Sequence, residues 1–182
     1  MRIAPESFFF PDGGQLTLRS PEPEEAAIFL DFLKQTAGET EFLLSYPDEV
    51  RYTTEEERAI LQKYLDDDRA FMIAAFRDGE VVGNVSVRMV SPHDKLRHRA
   101  RLAIGLRRDC WGRGLGTRLL RAAVETARGM GFVQLELGVF ADNARALSLY
   151  EREGFHPWGT LPRAFRTRDG VWHDEVQMLL EL

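Results

Sequence analysis

The sequence predicts an α/β fold, a three-layer sandwich in which helices flank a central mixed, mostly antiparallel sheet. Two observations lead to this prediction. Segments with strand-like alternation are interleaved with segments whose apolar residues recur at helical spacing. In addition, Asp78-Gly79 and Asp169-Gly170 each join two strand-like runs, and this dipeptide is typical of a tight hairpin between antiparallel strands. The 182 residues are enough for one core, so we expect a single domain over residues 1–182.

The predicted elements follow from turn residues and apolar periodicity. The strands cover residues 15–19, 71–77, 80–90, 97–107, 132–140, 155–167 and 171–180. The helices start at prolines, glycines or capping residues, and the second starts at a Thr54–Glu57 capping box. They cover residues 21–35, 54–65, 117–129 and 143–154. In the strand 132–140, the odd-numbered apolar residues from Val133 to Val139 are expected to share the buried face.

Charge is unevenly distributed along the chain. The total is −5, but residues 22–68 carry a net −10, so the remainder carries +5. Four arginines crowd one glycine-rich segment, namely Arg107, Arg108, Arg113 and Arg118. These four arginines form a basic rim that favours a phosphate-rich ligand. The acidic segment 22–68 either attracts a cationic partner or forms a solvated helix face. Nucleic acid is disfavoured as a partner, because no aromatic residues are interleaved with the basic ones and the sequence pI is about 5.5.

Other classes of protein are disfavoured by what the sequence lacks. No segment resembles a signal peptide, and no apolar run approaches the roughly 18 residues of a membrane span. We therefore expect no membrane association. The single cysteine, Cys110, excludes an internal disulfide framework and indicates a reducing cytoplasm. Its place beside the glycine segment also allows a nucleophile, although a small residue in a turn is the simpler interpretation. The four histidines lack the spacing of metal ligands, so no metal is expected.

The glycine segment Trp111–Thr117 lies between a predicted strand and a predicted helix. Its glycines at alternate positions allow a sharp turn, after which backbone N–H groups point outward at the positive end of the helix dipole. This arrangement predicts a phosphate-binding loop, with a simple tight turn as the alternative. A P-loop is excluded because it needs Lys and then Ser or Thr after its last glycine. The dinucleotide fingerprint is excluded because it needs a glycine at Thr117.

A second motif follows about 25 residues later, with Asn143, Ala146, Tyr150 and Gly154-Phe155 at fixed spacing. Together with Leu106 and the glycine segment, it resembles the GNAT superfamily of acyl-CoA-dependent N-acyltransferases over nearly the whole chain. The resemblance has one departure, since Trp111 stands where the family motif has Gln or Arg. It implies that acetyl-CoA is the cosubstrate and that no metal takes part.

The resemblance also implies roles for individual residues. By this resemblance, the strand residues 104–106 pair with the pantetheine arm and the loop from Gly112 to Thr117 holds the pyrophosphate. Asn143 binds the arm, and Tyr150 protonates or hydrogen-bonds the leaving thiolate. Seven residues separate Asn143 from Tyr150, so two helical turns can place both on one face. The alternative is a capping Asn143 and a core Tyr150. The implied cofactor-binding residues are Ile104, Gly105, Leu106, Trp111, Gly112, Arg113, Gly114, Leu115, Gly116, Thr117, Asn143 and Tyr150.

The acceptor and the general base are less defined. Some relatives carry a carboxylate base on the strand before the glycine loop, but no Asp or Glu lies between Lys95 and Arg108. Glu41 is therefore the first candidate, with His98 or a water chain as alternatives. By the same resemblance the acceptor contacts the last hairpin, from Leu161 to His173, and the segment between the first two helices.

We expect Glu39, Phe42 and Tyr46 to bind a primary amine there, whether a small amine, an amino acid or a peptide N-terminus. A non-catalytic acyl-CoA-binding sensor or scaffold is the alternative function. Apolar residues of the last two strands predict a homodimer.

Overall fold

A computed structural model describes residues 1–11 and 13–182. The strands are β1 Glu6–Phe9, β2 Gln15–Arg19, β3 Ala70–Arg77, β4 Glu80–Met89, β5 Arg99–Leu106, β6 Gln134–Phe140, β7 His156–Arg166 and β8 Trp172–Glu181. The α-helices are α1 Ala26–Glu39, α2 Thr54–Asp66, α3 Leu115–Gly129 and α4 Ala144–Arg152. Short 3-10 turns cover Pro23–Glu25, Pro47–Glu49 and Arg108–Cys110. Among the described residues, no helix is both long and apolar enough to cross a membrane.

The described residues form two compact units. The first comprises Met1–Arg88 and Ala103–Ala123, and the second comprises Met89–Leu102 and Val124–Leu182. Strand β5 contributes its first half to the second unit and its second half to the first. The expectation of a single domain over residues 1–182 stays a prediction.

The first unit is built on antiparallel pairing of β1 with β2, β2 with β3 and β3 with β4. The β3–β4 hairpin turns at Asp78 and Gly79, whose φ values of 53° and 83° are those of a type I′ turn, as the dipeptide predicts. All seven residues from Ala70 to Phe76 are apolar and buried, and residues of α1 and α2 pack against this strand. Phe29 and Phe32 of α1, Leu61 of α2 and Met72 of β3 belong to one buried core cluster.

The second unit makes the sheet mixed. Strand β6 pairs in parallel with the first residues of β5, from Arg99–Gln134 to Arg101–Glu136. On its other edge β6 pairs antiparallel with β8, and β8 pairs antiparallel with β7. The hydrogen-bonded order is therefore β1-β2-β3-β4-β5-β6-β8-β7. This order confirms the predicted α/β class with a mixed, mostly antiparallel sheet, and the described part of the chain contains four α-helices.

Several predicted details are wrong. The capping box of α2 is one residue earlier than expected, since Thr53 Oγ1 accepts the N–H of Glu56 and the Glu56 carboxylate accepts the N–H of Thr53. Val133 is 56% exposed because it precedes β6, so the buried face of this strand begins at Leu135. Strand β1 was not predicted, because the consecutive phenylalanines that follow Ser7 hide its alternation.

Candidate functional site

The glycine segment adopts the backbone conformation that its sequence predicts. Gly112 has φ 71° and Gly114 has φ 86°, both in the left-handed region that favours glycine. A Cβ at Gly112 would meet no atom within 4 Å, and one at Gly114 would lie 3.9 Å from the Phe8 ring. Conformation rather than space therefore requires glycine at these two positions. Gly116 differs, because α3 already begins at Leu115.

Helix α3 starts directly after this turn. The N–H of Arg118 donates to the Gly114 carbonyl at 3.0 Å, which makes Gly114 the residue that opens the helix. The N–H groups of the first turn, Leu115 to Thr117, are those that an α-helix leaves without an intrahelical acceptor. Leu115, Leu119 and Leu120 are fully buried, so the first turn is held firmly in the core. The result is a fixed set of N–H donors at the positive end of a helix dipole.

Side chains brace the turn that leads from β5 into the glycine segment. The indole Nε1–H of Trp111 donates to the Leu106 carbonyl at 3.1 Å. Trp111 thus ties the end of the strand to the start of the loop, which gives a structural role to the residue that departs from the family motif. Arg77 binds Asp109 at 2.5 Å in the same turn. The predicted pantetheine residues, Ile104 to Leu106, are half-buried at the end of β5.

Glu39 contacts the same turn rather than standing open to a ligand. Its carboxylate accepts the backbone N–H of Arg108 at 2.6 Å and the side-chain amide of Gln35 at 2.9 Å. The other predicted acceptor residues lie in the irregular segment after α1, where Glu41 is exposed and Phe42 is 37% exposed. The backbone N–H of Tyr46 donates to Glu49 at 2.9 Å. The acceptor roles of Glu39, Phe42 and Tyr46, and the base role of Glu41, stay predictions.

Cys110 is not suited to act as a nucleophile. The thiol is buried, and burial raises its pKa to about 11, with the Asp109 carboxylate as the next cause. A thiol with that pKa is protonated at neutral pH, and the thiolate is the reactive form. The interpretation as a small residue in a turn therefore accounts for Cys110. No group of three or more His, Cys, Asp or Glu side chains within residues 1–11 and 13–182 is arranged to hold a metal.

In the second unit, Asn143 caps a helix and Tyr150 lies in the core, as the alternative interpretation of this motif predicts. Asn143 is the N-cap of α4, and its Oδ1 accepts the N–H of Ala146 at 3.2 Å. Tyr150 is 7% exposed and packs against Phe155 with 5.9 Å between ring centroids. Burial raises the pKa of the Tyr150 phenol to about 12. These roles are compatible with ligand binding, because the cap leaves the Asn143 side-chain N–H₂ group available as a donor.

One polar pair near α4 was not predicted from the sequence. His173 Nδ1 lies 2.7 Å from Asp142 Oδ2, and the imidazole edge contacts the ring of Phe140. Phe140 in turn stacks on Phe165 at 3.9 Å. This cluster joins the end of β6 to the β7–β8 hairpin. No local signal indicates it, since 31 residues separate His173 from Asp142.

Comparisons with known proteins agree with the geometry. The crystal structure of a GNAT-family acetyltransferase from Streptococcus pneumoniae superposes with a TM-score of 0.88 at 30% identity, covering 92% of this chain and 99% of that one. A phosphinothricin acetyltransferase from Sinorhizobium meliloti, solved with acetyl-CoA, has the same fold, with a TM-score of 0.78 at 19% identity over 92% and 88% of the two chains.

A sequence relative adds a named substrate class. The L-methionine sulfoximine/L-methionine sulfone acetyltransferase of Pseudomonas paraeruginosa is 32% identical over 111 residues, which are 61% of this chain and 64% of the relative. The matched part is thus slightly under two thirds of that protein. The sequence model of the "Acetyltransferase (GNAT) family" matches residues 36–155, which include the glycine turn, the start of α3 and the Asn143–Tyr150 motif. From the loop geometry, the fold and this match, we conclude that the chain belongs to the GNAT acetyltransferase family.

Proposed function

We propose that the protein is an N-acetyltransferase that moves an acetyl group from acetyl-CoA to a primary amine by direct attack. The observation that carries the proposal is the left-handed turn at Gly112 and Gly114, which leads straight into the first turn of α3 in a member of this family. Nothing in the described residues favours the non-catalytic alternative, and the relatives are named as acetyltransferases.

We assign acetyl-CoA binding to the residues that the sequence analysis predicts. The pyrophosphate accepts hydrogen bonds from N–H groups between Gly112 and Thr117, because these are fixed donors at a helix N-terminus. The pantetheine arm lies along Ile104 to Leu106. The Leu106 carbonyl already accepts from Trp111, so the arm pairs mainly with the remaining backbone groups of this strand. Asn143 donates its side-chain N–H₂ group to a carbonyl of the arm.

The chemistry requires two proton movements. The neutral amine nitrogen attacks the thioester carbonyl carbon, the C–S bond breaks, and the electron pair leaves on sulfur. The amine must lose a proton, since an amine with a pKa of about 10.4 is protonated at neutral pH. The thiolate sulfur must be stabilised, a role that we assign to the Tyr150 hydroxyl, and it finally takes a proton from solvent.

The raised pKa of Tyr150 defines how the hydroxyl works. A phenol with a pKa of about 12 is always protonated at neutral pH, so it is always a donor. Complete proton transfer to a thiolate whose conjugate acid has a pKa of about 8.5 is unfavourable by about 5 kcal/mol. Tyr150 therefore acts chiefly as a hydrogen-bond donor that stabilises the developing negative charge on sulfur. Of the two roles that the resemblance implies for Tyr150, we therefore propose hydrogen bonding to the thiolate.

Glu41 is the proposed general base. Glu39 is already occupied by the Arg108 N–H, whereas Glu41 is exposed and forms no hydrogen bond or ion pair in the part of the chain that the structure describes. We propose that Glu41 takes the proton from the ammonium group through a bridging water and then releases it to solvent.

We propose a primary amine of the amino-acid type as acceptor. The support is the substrate named for the Pseudomonas relative and the acidic segment that holds Glu41, Asp48 and Glu49. That segment lowers the energy of an approaching ammonium group.

We also propose that the protein forms a homodimer and that it is located in the reducing cytoplasm. Strand β7 is the last strand of the order and exposes Trp158 and Leu161, at 59% and 54%. An exposed edge of this kind is usually covered. Light scattering is expected to give a dimer at micromolar concentration, and a monomer there would refute this part. The compartment is supported by the single cysteine, which is a free thiol.

A panel assay tests the function. Acetyl-CoA is offered with neutral, basic and acidic amino acids, polyamines and short peptides, and freed thiol is detected over time. Amine-dependent thiol release supports the proposal. Failure of every amine, together with no binding of acetyl-CoA in calorimetry, would overturn it.

A further inference from the structure

The last turn of α1 contacts two parts of the first unit that the proposed function uses. On one side lies the segment 40–53, which is predicted to contact the acceptor. A Cβ at Gly38 would lie 3.5 Å from Pro47 Cγ, so the end of the helix packs closely on this segment. On the other side lies the turn between β5 and the glycine segment, where Glu39 accepts the backbone N–H of Arg108.

The hydrogen bond between Arg108 and Glu39 is short and joins distant parts of the chain. The Arg108 N–H donates to Glu39 Oε2 at 2.6 Å, although 69 residues separate the two. Glu39 Oε1 accepts the side-chain amide of Gln35 at 2.9 Å, which orders the carboxylate from within α1. Arg108 is the first residue of a 3-10 turn, so its N–H has no acceptor within that turn. A carboxylate binds such an N–H more strongly than a neutral acceptor does.

The turn that Glu39 contacts leads directly into the N–H groups proposed to bind phosphate. Asp109, Cys110 and Trp111 lie between Arg108 and the glycine segment, and each is buried or bonded to another residue. The backbone here is thus held along its length, and the donors of residues 112–117 follow without a loose connection. A shift of the turn therefore displaces these donors, and small displacements of positioned groups weaken their interactions strongly.

We propose that Glu39 is a positioning residue for the cosubstrate loop: its carboxylate fixes the turn before the glycine segment, and thereby the N–H groups that bind the phosphates of acetyl-CoA. Glu39 thus supports the cosubstrate, and not the acceptor as the sequence predicts. The inference rests on the proposed function, since it assigns acetyl-CoA to this loop. The negative charge of Glu39 is itself unfavourable for a phosphate ligand, so positioning and electrostatics predict opposite effects when Glu39 is replaced.

Two variants separate the hydrogen bond of Glu39 from its charge. Glu39→Gln removes the charge and keeps an oxygen that accepts the Arg108 N–H, whereas Glu39→Ala removes both. Glu39→Ala is expected to weaken coenzyme A binding about threefold to tenfold in calorimetry, and Glu39→Gln to stay within about twofold of the wild type. Charge alone predicts binding at least as tight as that of the wild type in both variants. Glu56→Ala is the matched control, because Glu56 accepts the backbone N–H of Thr53 at 2.8 Å, and it is expected to leave binding unchanged.

Kinetics and hydrogen exchange identify the role of Glu39. Positioning predicts that Glu39→Ala raises KM for acetyl-CoA by a similar factor and leaves KM for the best acceptor of the panel assay unchanged. Acceptor binding predicts the reverse, with a raised acceptor KM in both variants and unchanged affinity for coenzyme A. Loss of the hydrogen bond is measured directly by NMR, since the Arg108 amide is expected to exchange at least about tenfold faster in Glu39→Ala but not in Glu39→Gln.

The outcomes decide between the inference and the proposed function on which it rests. Unchanged coenzyme A affinity in Glu39→Ala, or an equal loss in Glu39→Ala and Glu39→Gln, would overturn the inference alone. If Glu39→Ala does not fold, Glu39→Leu, which also lacks an acceptor oxygen, takes its place in every measurement. Absence of coenzyme A binding by the wild type would instead refute the proposed function, and the inference with it.

Discussion

Replacing Tyr150 by phenylalanine removes one hydroxyl and keeps the ring that packs on Phe155. Tyr150 is 7% exposed, and the variant keeps the packed ring. We therefore expect it to fold and to bind acetyl-CoA normally. A hydrogen bond to a charged group contributes about 1.5–3 kcal/mol. If the hydroxyl stabilises a thiolate that exists only as the reaction proceeds, kcat falls by about 10- to 150-fold while KM for acetyl-CoA stays within about twofold. This is less than the upper range of general acid catalysis, because the raised pKa opposes full proton transfer.

Steady-state release of thiol measures kcat and KM for this variant, and calorimetry with coenzyme A measures binding separately. The pH profile adds a second criterion. The phenol remains protonated up to about pH 12, so the wild-type kcat has no alkaline loss from Tyr150 between pH 8 and 10. A wild-type rate in Tyr150→Phe would show that the side chain serves packing alone. An increase in KM with unchanged kcat would show that the hydroxyl binds the ground state instead.

Three further predictions concern the loop, the first unit and the acceptor. Gly114→Asp places a carboxylate beside the N–H groups proposed to bind phosphate, so it is expected to weaken coenzyme A binding at least tenfold, or about 1.4 kcal/mol. Gly170→Asp is the control for backbone strain, because Gly170 has φ 91° and Gly114 has φ 86°, and it is expected to leave binding unchanged. Burial raises the pKa of Glu57 to about 6, so the stability from its protonated form is present below about pH 4.5 and lost as pH rises through about 6. In denaturant titrations, Glu57→Gln is therefore expected to raise the free energy of unfolding by up to about 2 kcal/mol at pH 7 and to leave it unchanged at pH 4. Glu55→Gln, at an exposed position, is the neutral control. Equal effects of Glu57→Gln at both pH values would contradict this prediction. Polyamines and peptide N-termini are expected to be better acceptors than glutamate or aspartate. Glu41→Gln is expected to raise the KM for these cationic acceptors and to flatten the salt dependence of that KM. Preference for an acidic acceptor would contradict the proposed role of the acidic segment.

The features that the sequence predicted well depend on a few neighbouring residues. The Asp78-Gly79 hairpin needs two positive φ values in a row, and this dipeptide tolerates them. The glycine turn before α3 likewise depends on Gly112 and Gly114, which take left-handed values. Element ends were less certain: α1 continues four residues beyond the predicted end at Gln35, because Thr36 and Ala37 are buried and keep the helix packed.

The candidate site was predicted less completely, because its side chains are held from distant parts of the chain. Glu39 resembles a free carboxylate in the sequence, but it accepts an N–H from Arg108, 69 residues away. Glu6 and Arg118 are 112 residues apart, and the strand that brings them together was not predicted. Asn143 has a cap role that spacing does indicate, yet spacing does not tell whether a capping residue also binds a ligand.

The basic rim of the glycine loop shows why counting charges is not enough. The sequence places four arginines there, and four equal cations would attract the phosphates of acetyl-CoA strongly. In the structure, Arg107 lies 2.7 Å from Glu80 and 3.4 Å from Asp109, and Arg118 pairs with Glu6. Arg108 and Arg113 also lie over aromatic rings, 5.6 Å from the centroid of Trp111 and 3.9 Å from that of Phe10, and such a contact orders the side chain of a cation. A count of four arginines therefore overstates the positive charge that phosphate meets, because carboxylates offset the charges of at least Arg107 and Arg118. The dipole of α3 does not depend on such pairing, so the N–H groups of its first turn are the steadier part of the attraction for phosphate.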